Sequence, residues 1–264
     1  MKDNQTNLIL QKITGLSKEQ LFLNGEICLT SSQQERYDNY VIRLNSGEPL
    51  EYILEQAEFY GEQFFVDKRV LIPRNDTEIM VDRAILEPAD IYIDIGTGSG
   101  CIPVSVIKNS KNMLKHAYAL DISTKALEVA NINIKTYDLT HHIELLESNL
   151  LEKVLDRKLH DKQIVITANL PYIKQDDFEN MDESVYLNEP KLALYGGKNT
   201  GFELYETLIG QCQELVECNS KITLFIELGF DQKDVCEEFL TSYKLAYQIF
   251  QDNGGVDRCV RVEI

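Results

Sequence analysis

The sequence predicts an α/β fold: a mainly parallel, Rossmann-like sheet of seven strands with helices on both faces. An antiparallel C-terminal hairpin completes the sheet, and a small helical region precedes it. Three observations predict this. From residue 90 onward, short apolar runs alternate with segments of helical period. The first run leads into a glycine-rich loop, Asp94-Ile95-Gly96-Thr97-Gly98-Ser99-Gly100, and the second ends at an acidic residue, Asp121. The last two runs flank Asp252-Asn253-Gly254-Gly255, a turn signal between antiparallel strands.

The elements follow in order. Residues 1–57 read as a helical domain, with Leu8, Ile9, Ile13 and Leu16 at helical spacing. Ser17 is a candidate N-cap, and Gln20 completes a capping box. Ser31 or Ser32 starts a further helix that carries Tyr37, Tyr40, Val41 and Leu44 on one face, and Gly47-Glu48-Pro49 ends it. Residues 58–75 form a linker whose strand composition around Gly61-Glu62 predicts a hairpin. The main domain spans 76–264. Its strand candidates are 90–95, 116–120, 143–147, 163–168, 221–228, 245–250 and 258–264. Its helix candidates are 76–86, 100–109, 123–136, 201–217 and 231–240.

Composition excludes several classes. A hydrophobic share of 44% suits a large core rather than disorder, and no apolar run is long enough to span a membrane. The start, Met1-Lys2-Asp3-Asn4-Gln5, has no signal-peptide pattern, which predicts a cytoplasmic protein. Cys28, Cys101, Cys212, Cys218, Cys236 and Cys259 show no paired spacing, and His116, His141, His142 and His160 fit no zinc pattern. No metal is expected, and the cysteines read as reduced. Twenty-six basic against forty-three acidic residues give a net charge of −17, poor equipment for gripping a phosphate backbone. The expected partner is a protein or small molecule, without dedicated nucleic-acid binding and without a membrane, and the chain is expected to be a monomer.

The loop from Asp94 through Gly96, Thr97, Gly98 and Ser99 to Gly100 joins a strand to a helix. Glycines let backbone pass close beneath a ligand, and the helix start offers free N–H groups. Asp121 follows Gly100 by 21 residues, and an acid in that position accepts both ribose hydroxyls of a nucleoside cofactor. The pairing fits NAD or S-adenosylmethionine. Three features favour the methyl donor: the loop reads DxGxGxG, no hydride-transfer machinery is recognisable, and Asn169-Leu170-Pro171-Tyr172 stands at the fourth strand end. Ile122 follows Asp121, and Leu150 at the third strand end can pack on the adenine.

Asn169-Leu170-Pro171-Tyr172 is the candidate catalytic segment. The Asn169 amide oxygen and the Leu170 carbonyl are two close acceptors able to hold both hydrogens of a planar NH₂ group. Pro171 fixes the turn, and the Tyr172 ring can lie against a flat substrate face.

Together with other stretches, these residues resemble the HemK/PrmC family of protein-(glutamine-N5) methyltransferases, which modify peptide chain release factors. The resemblance includes Gly47 to Ile53, Phe59 to Val66, and Val70-Leu71-Ile72-Pro73-Arg74-Asn75-Asp76-Thr77-Glu78. It continues in Asp121-Ile122-Ser123, Asn188 to Leu194, Gly196-Gly197 and Glu227-Leu228-Gly229. It implies a helical N-terminal domain that docks a release factor, a class I methyltransferase domain, and S-adenosylmethionine as cofactor with S-adenosylhomocysteine as product. The implied target is the glutamine of a Gly-Gly-Gln motif. Gly96 to Gly100, Asp121, Leu150 and Asn169 would contact the cofactor, and Asn169 to Tyr172 would hold the glutamine.

The chain also departs from the family's usual pattern. Leu170 replaces the first Pro of Asn-Pro-Pro-Tyr, Asn75 replaces a second Pro, Asn188 replaces a His, and Leu150 replaces an aromatic. Asn-Leu-Pro-Tyr is also how rRNA adenine dimethyltransferases spell this motif. The alternatives are therefore a ribosomal-protein glutamine methyltransferase, an adenine-N6 methyltransferase of RNA or DNA, and a non-catalytic binding protein.

Overall fold

The structure, a computed structural model, describes residues 2–24, 27–110, 116–155, 157, 159, 161–216 and 220–264. His160 and Cys218, considered above, lie outside the described residues, as does position 217 of the fourth helix candidate.

Four helices open the chain: α1 (Lys2–Thr14), α2 (Lys18–Asn24), α3 (Ser31–Asn45) and α4 (Leu50–Leu54). The expected box at Ser17 forms, with Ser17 N donating to Gln20 Oε1 at 2.9 Å and Gln20 N to Ser17 Oγ at 3.3 Å. The next helix caps on Thr30 rather than on Ser31 or Ser32. Gln33 decides this, because only a cap three residues before it closes the reciprocal pair of bonds. After the Gly47 break, Glu48 pairs with Arg43 at 2.7 Å and with Lys68 at 3.4 Å. The buried Tyr52 hydroxyl donates to Val70 O at 2.6 Å. These contacts join the helical region to the segment after the hairpin.

The hairpin is β1 (Ala57–Phe59) and β2 (Glu62–Phe64), shorter than the expected strand composition. Its turn is Tyr60-Gly61, with φ of 52° and 72°, the paired left-handed conformation of a two-residue turn. Beyond Phe64 no ladder forms, because side chains take the backbone groups instead. Phe65 N donates to Asn133 Oδ1 at 2.7 Å, and Ile72 N donates to Glu189 Oε2 at 3.3 Å.

The main sheet comprises β3 (Ile91–Ile95), β4 (Ala117–Asp121), β5 (Ile143–Glu147), β6 (Gln163–Ala168), β9 (Lys221–Glu227), β10 (Ala246–Gln251) and β11 (Asp257–Glu263). A separate short pair is β7 (Ile173–Lys174) and β8 (Tyr195–Gly197). The sheet order is β10-β11-β9-β6-β3-β4-β5. The five strands from β9 to β5 are parallel, and β11 runs antiparallel to β9 and β10. The sequence predicts this mixture of a parallel sheet with an antiparallel final hairpin. The strand candidates match to within about two residues, ordinary uncertainty at element ends.

The helices are α5 (Glu78–Ala84), α6 (Cys101–Asn109), α7 (Thr124–Thr136), α8 (Glu152–Leu155), α9 (Glu183–Asn188), α10 (Glu203–Val216) and α11 (Lys233–Ser242). α5 is shorter than the expected 76–86, since Asn75–Thr77 forms a tight 3₁₀ turn before it. Leu208, Leu240 and Val154 cover one sheet face with Ile93 and Ile166, while Met80, Val104 and Ile134 cover the other with Tyr92 and Val165. Both faces are buried, so the inner strands read as continuous apolar runs.

β3 lies at the centre of the five parallel strands. From it the chain steps outward to β4 and β5, then crosses back to β6 on the other side. That reversal opens a crevice at the carboxyl ends of β3 and β6, where ligands bind in such sheets. No helix among the described residues is long and apolar enough to cross a membrane.

Candidate active site

A cavity of about 350 Å³ occupies this crevice. Its floor is Gly96 to Ser99 after β3, one side carries Asp121 and Ile122 after β4, and Leu150 follows β5. Asn169, Leu170 and Pro171 complete it from β6. Ten of the expected residues therefore converge here from four strand ends. Asp94, Gly100 and Tyr172 do not line the cavity.

The loop takes its shape from glycines at φ 68° (Gly96), 53° (Gly98) and 78° (Gly100). Gly96 also leaves room for the opposite wall: a Cβ there would stand 3.1 Å from Leu170 Cδ2. Asp121 orders both sides of the crevice, since its Oδ2 accepts from Gly98 N at 2.9 Å and its Oδ1 from Ser123 N at 2.8 Å. The helix cap is Ser123 itself, whose hydroxyl accepts from Ala126 N at 3.2 Å. Asp121 is thus free of capping duty and faces the cavity. Burial raises its pKa against the backbone donors that lower it.

Asp94 is wholly buried on β3. Its Oδ1 accepts from the Thr167 hydroxyl at 2.6 Å, while Oδ2 has no hydrogen-bond partner among the described residues. Burial pushes its carboxyl up to about 7. Thr97 Oγ1, in the loop above, is likewise buried without a hydrogen-bond partner among the described residues. A partnerless hydroxyl in the cavity-lining loop, with the Asp94 carboxyl behind it and the Asp121 carboxylate beside it, fits a ligand carrying positive charge and polar N–H and O–H groups. S-adenosylmethionine has such groups, and the acidic Asp121 fits its ribose, so the residues present suit the cofactor.

Asn169 leaves β6 with its Nδ2 donating to Thr77 Oγ1 at 3.1 Å. Its Oδ1 makes no hydrogen bond among the described residues and is the atom left for a ligand. The fully buried Tyr205 of α10 fixes the next peptide, accepting from Leu170 N at 3.0 Å and donating to Glu227 O at 2.7 Å. Tyr172 turns behind the wall, where its ring packs on Gly229, a position at which a Cβ would meet ring carbon Cδ2 at 3.0 Å. Its pKa rises, mainly through burial.

The expected Pro73-to-Glu78 and Asn188-to-Leu194 segments meet across the mouth. Arg74 pairs with the buried Glu189 at 2.5 Å, and Pro73, Pro190 and Leu192 line the cavity. Burial raises the Glu189 carboxyl although Arg74 opposes it. A Cβ on Gly196 would overlap Tyr172 Cα and the Pro171 carbonyl oxygen. Gly196→Ala is expected to destabilise the fold by roughly 2–3 kcal/mol through overpacking. Thermal denaturation reads the loss; an unchanged midpoint would contradict this packing.

The sequence places a helix start near Asp76 or Thr77, but assigns no site role to Thr77, Tyr205, Glu227, Arg258 or Asn133. Asn133 Nδ2 ties Phe65 O at 2.9 Å to Ser99 O at 2.8 Å. Glu227 is the one with a sequence signal, a lone acid closing the apolar run from Ile222 to Ile226. Its carboxyl, like that of Asp94, is pushed up to about 7 by burial. Both folded-state values lie above the ordinary carboxylate range. Their stabilising contribution is therefore complete at acid pH and is lost as pH rises from that range through about 7. The ligand-free protein is expected to melt several degrees lower at mildly alkaline than at mildly acid pH, with Asp94→Asn flattening the slope. A melting point that rises across the window would contradict the assignment.

A cleft of this make-up, at the reversal point of a seven-stranded sheet in this order, defines a class I methyltransferase. The fold comparison agrees. The hMettl16 catalytic domain, solved with a MAT2A 3′UTR hairpin, superposes with a TM-score of 0.57 at 15% identity, covering 91% of this chain and 85% of that one. Human methyltransferase 10 domain containing protein gives 0.52 at 14% identity, covering 89% and 98%. Residues 2–54 match the family described as PrmC N-terminal domain, and residues 79–168 match a methyltransferase domain. The release factor glutamine methyltransferase of Mycoplasma mycoides is 35% identical over 91% of this chain and 84% of its own length. That of Enterococcus faecalis is 33% identical over 94% and 88%. The chain belongs to the release factor glutamine methyltransferase family.

Proposed function

We propose that the protein transfers a methyl group from S-adenosylmethionine to the side-chain amide nitrogen of the glutamine in the Gly-Gly-Gln motif of a peptide chain release factor. The observation that carries this reading is the Asn169 amide at the cavity wall, whose nitrogen is engaged by Thr77 and whose oxygen makes no hydrogen bond among the described residues. When bound, the cofactor supplies an electrophilic methyl group. Gly96 to Gly100, Asp121, Ile122 and Leu150 are assigned to hold it, with the buried Asp94 supporting the loop from below.

An amide nitrogen is a weak nucleophile because its lone pair is delocalised. The chain's contribution is positioning, plus acceptors for the N–H groups as positive charge develops on that nitrogen. Asn169 Oδ1 and the Leu170 carbonyl are assigned as those acceptors. Pro171 fixes the turn between them and Tyr172. Because the ring of Tyr172 packs on Gly229, its assigned role is to brace this turn from behind, not to lie flat on the substrate. The backbone carbonyl at position 170 serves equally from Leu or Pro. No general base is required before transfer, since the nitrogen becomes strongly acidic once methylated.

In the same reading, residues 1–57 form the docking domain, 58–75 the linker and 76–264 the catalytic domain. The net charge of −17 supports a protein partner over a nucleic acid. The test supplies labelled S-adenosylmethionine with a release factor, with the same factor carrying Gly-Gly-Glu, or with bare ribosomal RNA. Label in the first alone supports the proposal, and label in the RNA overturns it.

A further inference from the structure

Glu227 closes β9 beside the point where Asn169 leaves β6. The ladder pairs Ala168 with Ile226, so the next residue of each strand emerges on the same face at the sheet's carboxyl edge. That is the face where Thr77 leads into α5, and Asn169 Nδ2 reaches the Thr77 hydroxyl. Glu227 is 3% exposed, its Oε2 has no hydrogen-bond partner, and it forms no ion pair among the described residues. The nearby Arg258 is instead committed to Asp252, Asp76 and the Leu228 carbonyl.

A primary amide has two unlike ends. Unless something fixes it, the Asn169 side chain can turn over and present its NH₂ to an incoming NH₂, donor against donor. A buried carboxylate settles the choice because it can only accept. We infer that Glu227 is a positioning residue for methyl transfer: together with Thr77 it takes the donor end of the Asn169 amide and so keeps Oδ1 turned into the cavity. This rests on the proposed glutamine chemistry of the cavity, since an acceptor is useful there only for a substrate N–H.

Several groups face Glu227: Asp76 and Thr77 before α5, Asn169 and Tyr172 after β6, Tyr205 of α10, and Arg258 and Cys259 of β11. Burial pushes its carboxyl up, Thr77, Arg258 and Asn169 oppose that, and Asp76 adds to it, leaving it at about 7. The ionised form orients the amide, so turnover should rise with pH through this value. Stability should run the other way, because the same ionisation places a charge in the interior.

The test compares wild type with Glu227→Gln, and with Thr77→Val in case the first variant does not fold. With saturating cofactor and release factor, Glu227→Gln is expected to lower kcat by on the order of 10–10²-fold and to abolish the rising limb near neutral pH. Its cofactor Kd should be unchanged and its melting point at alkaline pH should be higher. A residue acting only through stability would not lower turnover in a more stable protein. Thr77→Val should show the same loss of kcat with the carboxyl intact. Independently of activity, the Asn169 side-chain NH₂ resonances, assigned by their absence in Asn169→Asp, should titrate in wild type and not in Glu227→Gln. Wild-type kcat in both variants, with unaltered titration, would overturn the inference. Failure of wild type to methylate the release factor would sink the proposed function instead, while the resonance titration would still report on Glu227.

Discussion

Replacing Asn169 by alanine is expected to lower the rate of methyl transfer by on the order of 10²–10³, with a much smaller change in cofactor affinity. Asn169 contributes the only side-chain acceptor assigned to the substrate amide, and its Oδ1 is unengaged among the described residues. Removing it deletes a contact that strengthens as charge develops on the nitrogen, which places the loss in kcat. The variant should fold, because Asn169 is only half-buried and the Tyr205 hydroxyl still holds the Leu170 N–H. Asn169→Asp should not rescue turnover, since it removes the donor to Thr77 and sets a second carboxyl beside Glu227. Single-turnover kinetics with saturating cofactor reads the effect, and normal turnover by Asn169→Ala would defeat the mechanism.

Asp121→Ala should act on the other half of the reaction. The Asp121 carboxylate is assigned two ribose hydroxyls, and in the structure it also orders Gly98 and Ser123. Hydrogen bonds to a charged group contribute about 1.5–3 kcal/mol each, so loss of the pair should raise the cofactor Kd by about 10²-fold or more. Turnover at saturating cofactor should recover most of its wild-type value. Calorimetric titration with S-adenosylhomocysteine measures this directly. An unchanged Kd would remove Asp121 from the cofactor site.

The two variants also separate what was legible in the sequence from what was not. The glycine loop, Asp121 and the Asn169 segment were legible because each is a local run whose chemistry follows from residue type and position at a strand end. The strand alternation was legible for the same reason, since both sheet faces are buried and the apolar runs are continuous. The short elements were not. α4, α8, α9 and the β7–β8 pair have six residues or fewer, too few to show a period, and they owe their form to tertiary contacts. Gly196 illustrates this: β8 lies against Pro171-Tyr172 only because no Cβ intervenes.

The supporting polar residues were hidden for a related reason. Thr77 and Asn169 are 92 residues apart, and Leu170 and Tyr205 are 35 apart. Nothing local in either sequence stretch announces its partner. The motif alone sets Tyr172 against the substrate, whereas the fold turns its ring onto Gly229. The cap of α3 moved to Thr30 because Gln33, not the serine pair, fixed where the box could close.

The cavity is proposed to methylate a glutamine amide. The most direct measurement is peptide-level mass spectrometry of an unmodified release factor after incubation with the protein and S-adenosylmethionine, with bare ribosomal RNA treated in parallel. One added methyl group on the glutamine of the Gly-Gly-Gln peptide is the predicted result. An unmodified peptide together with methylated adenine in the RNA would contradict the account and make Asn169-Leu170-Pro171-Tyr172 a base-binding segment.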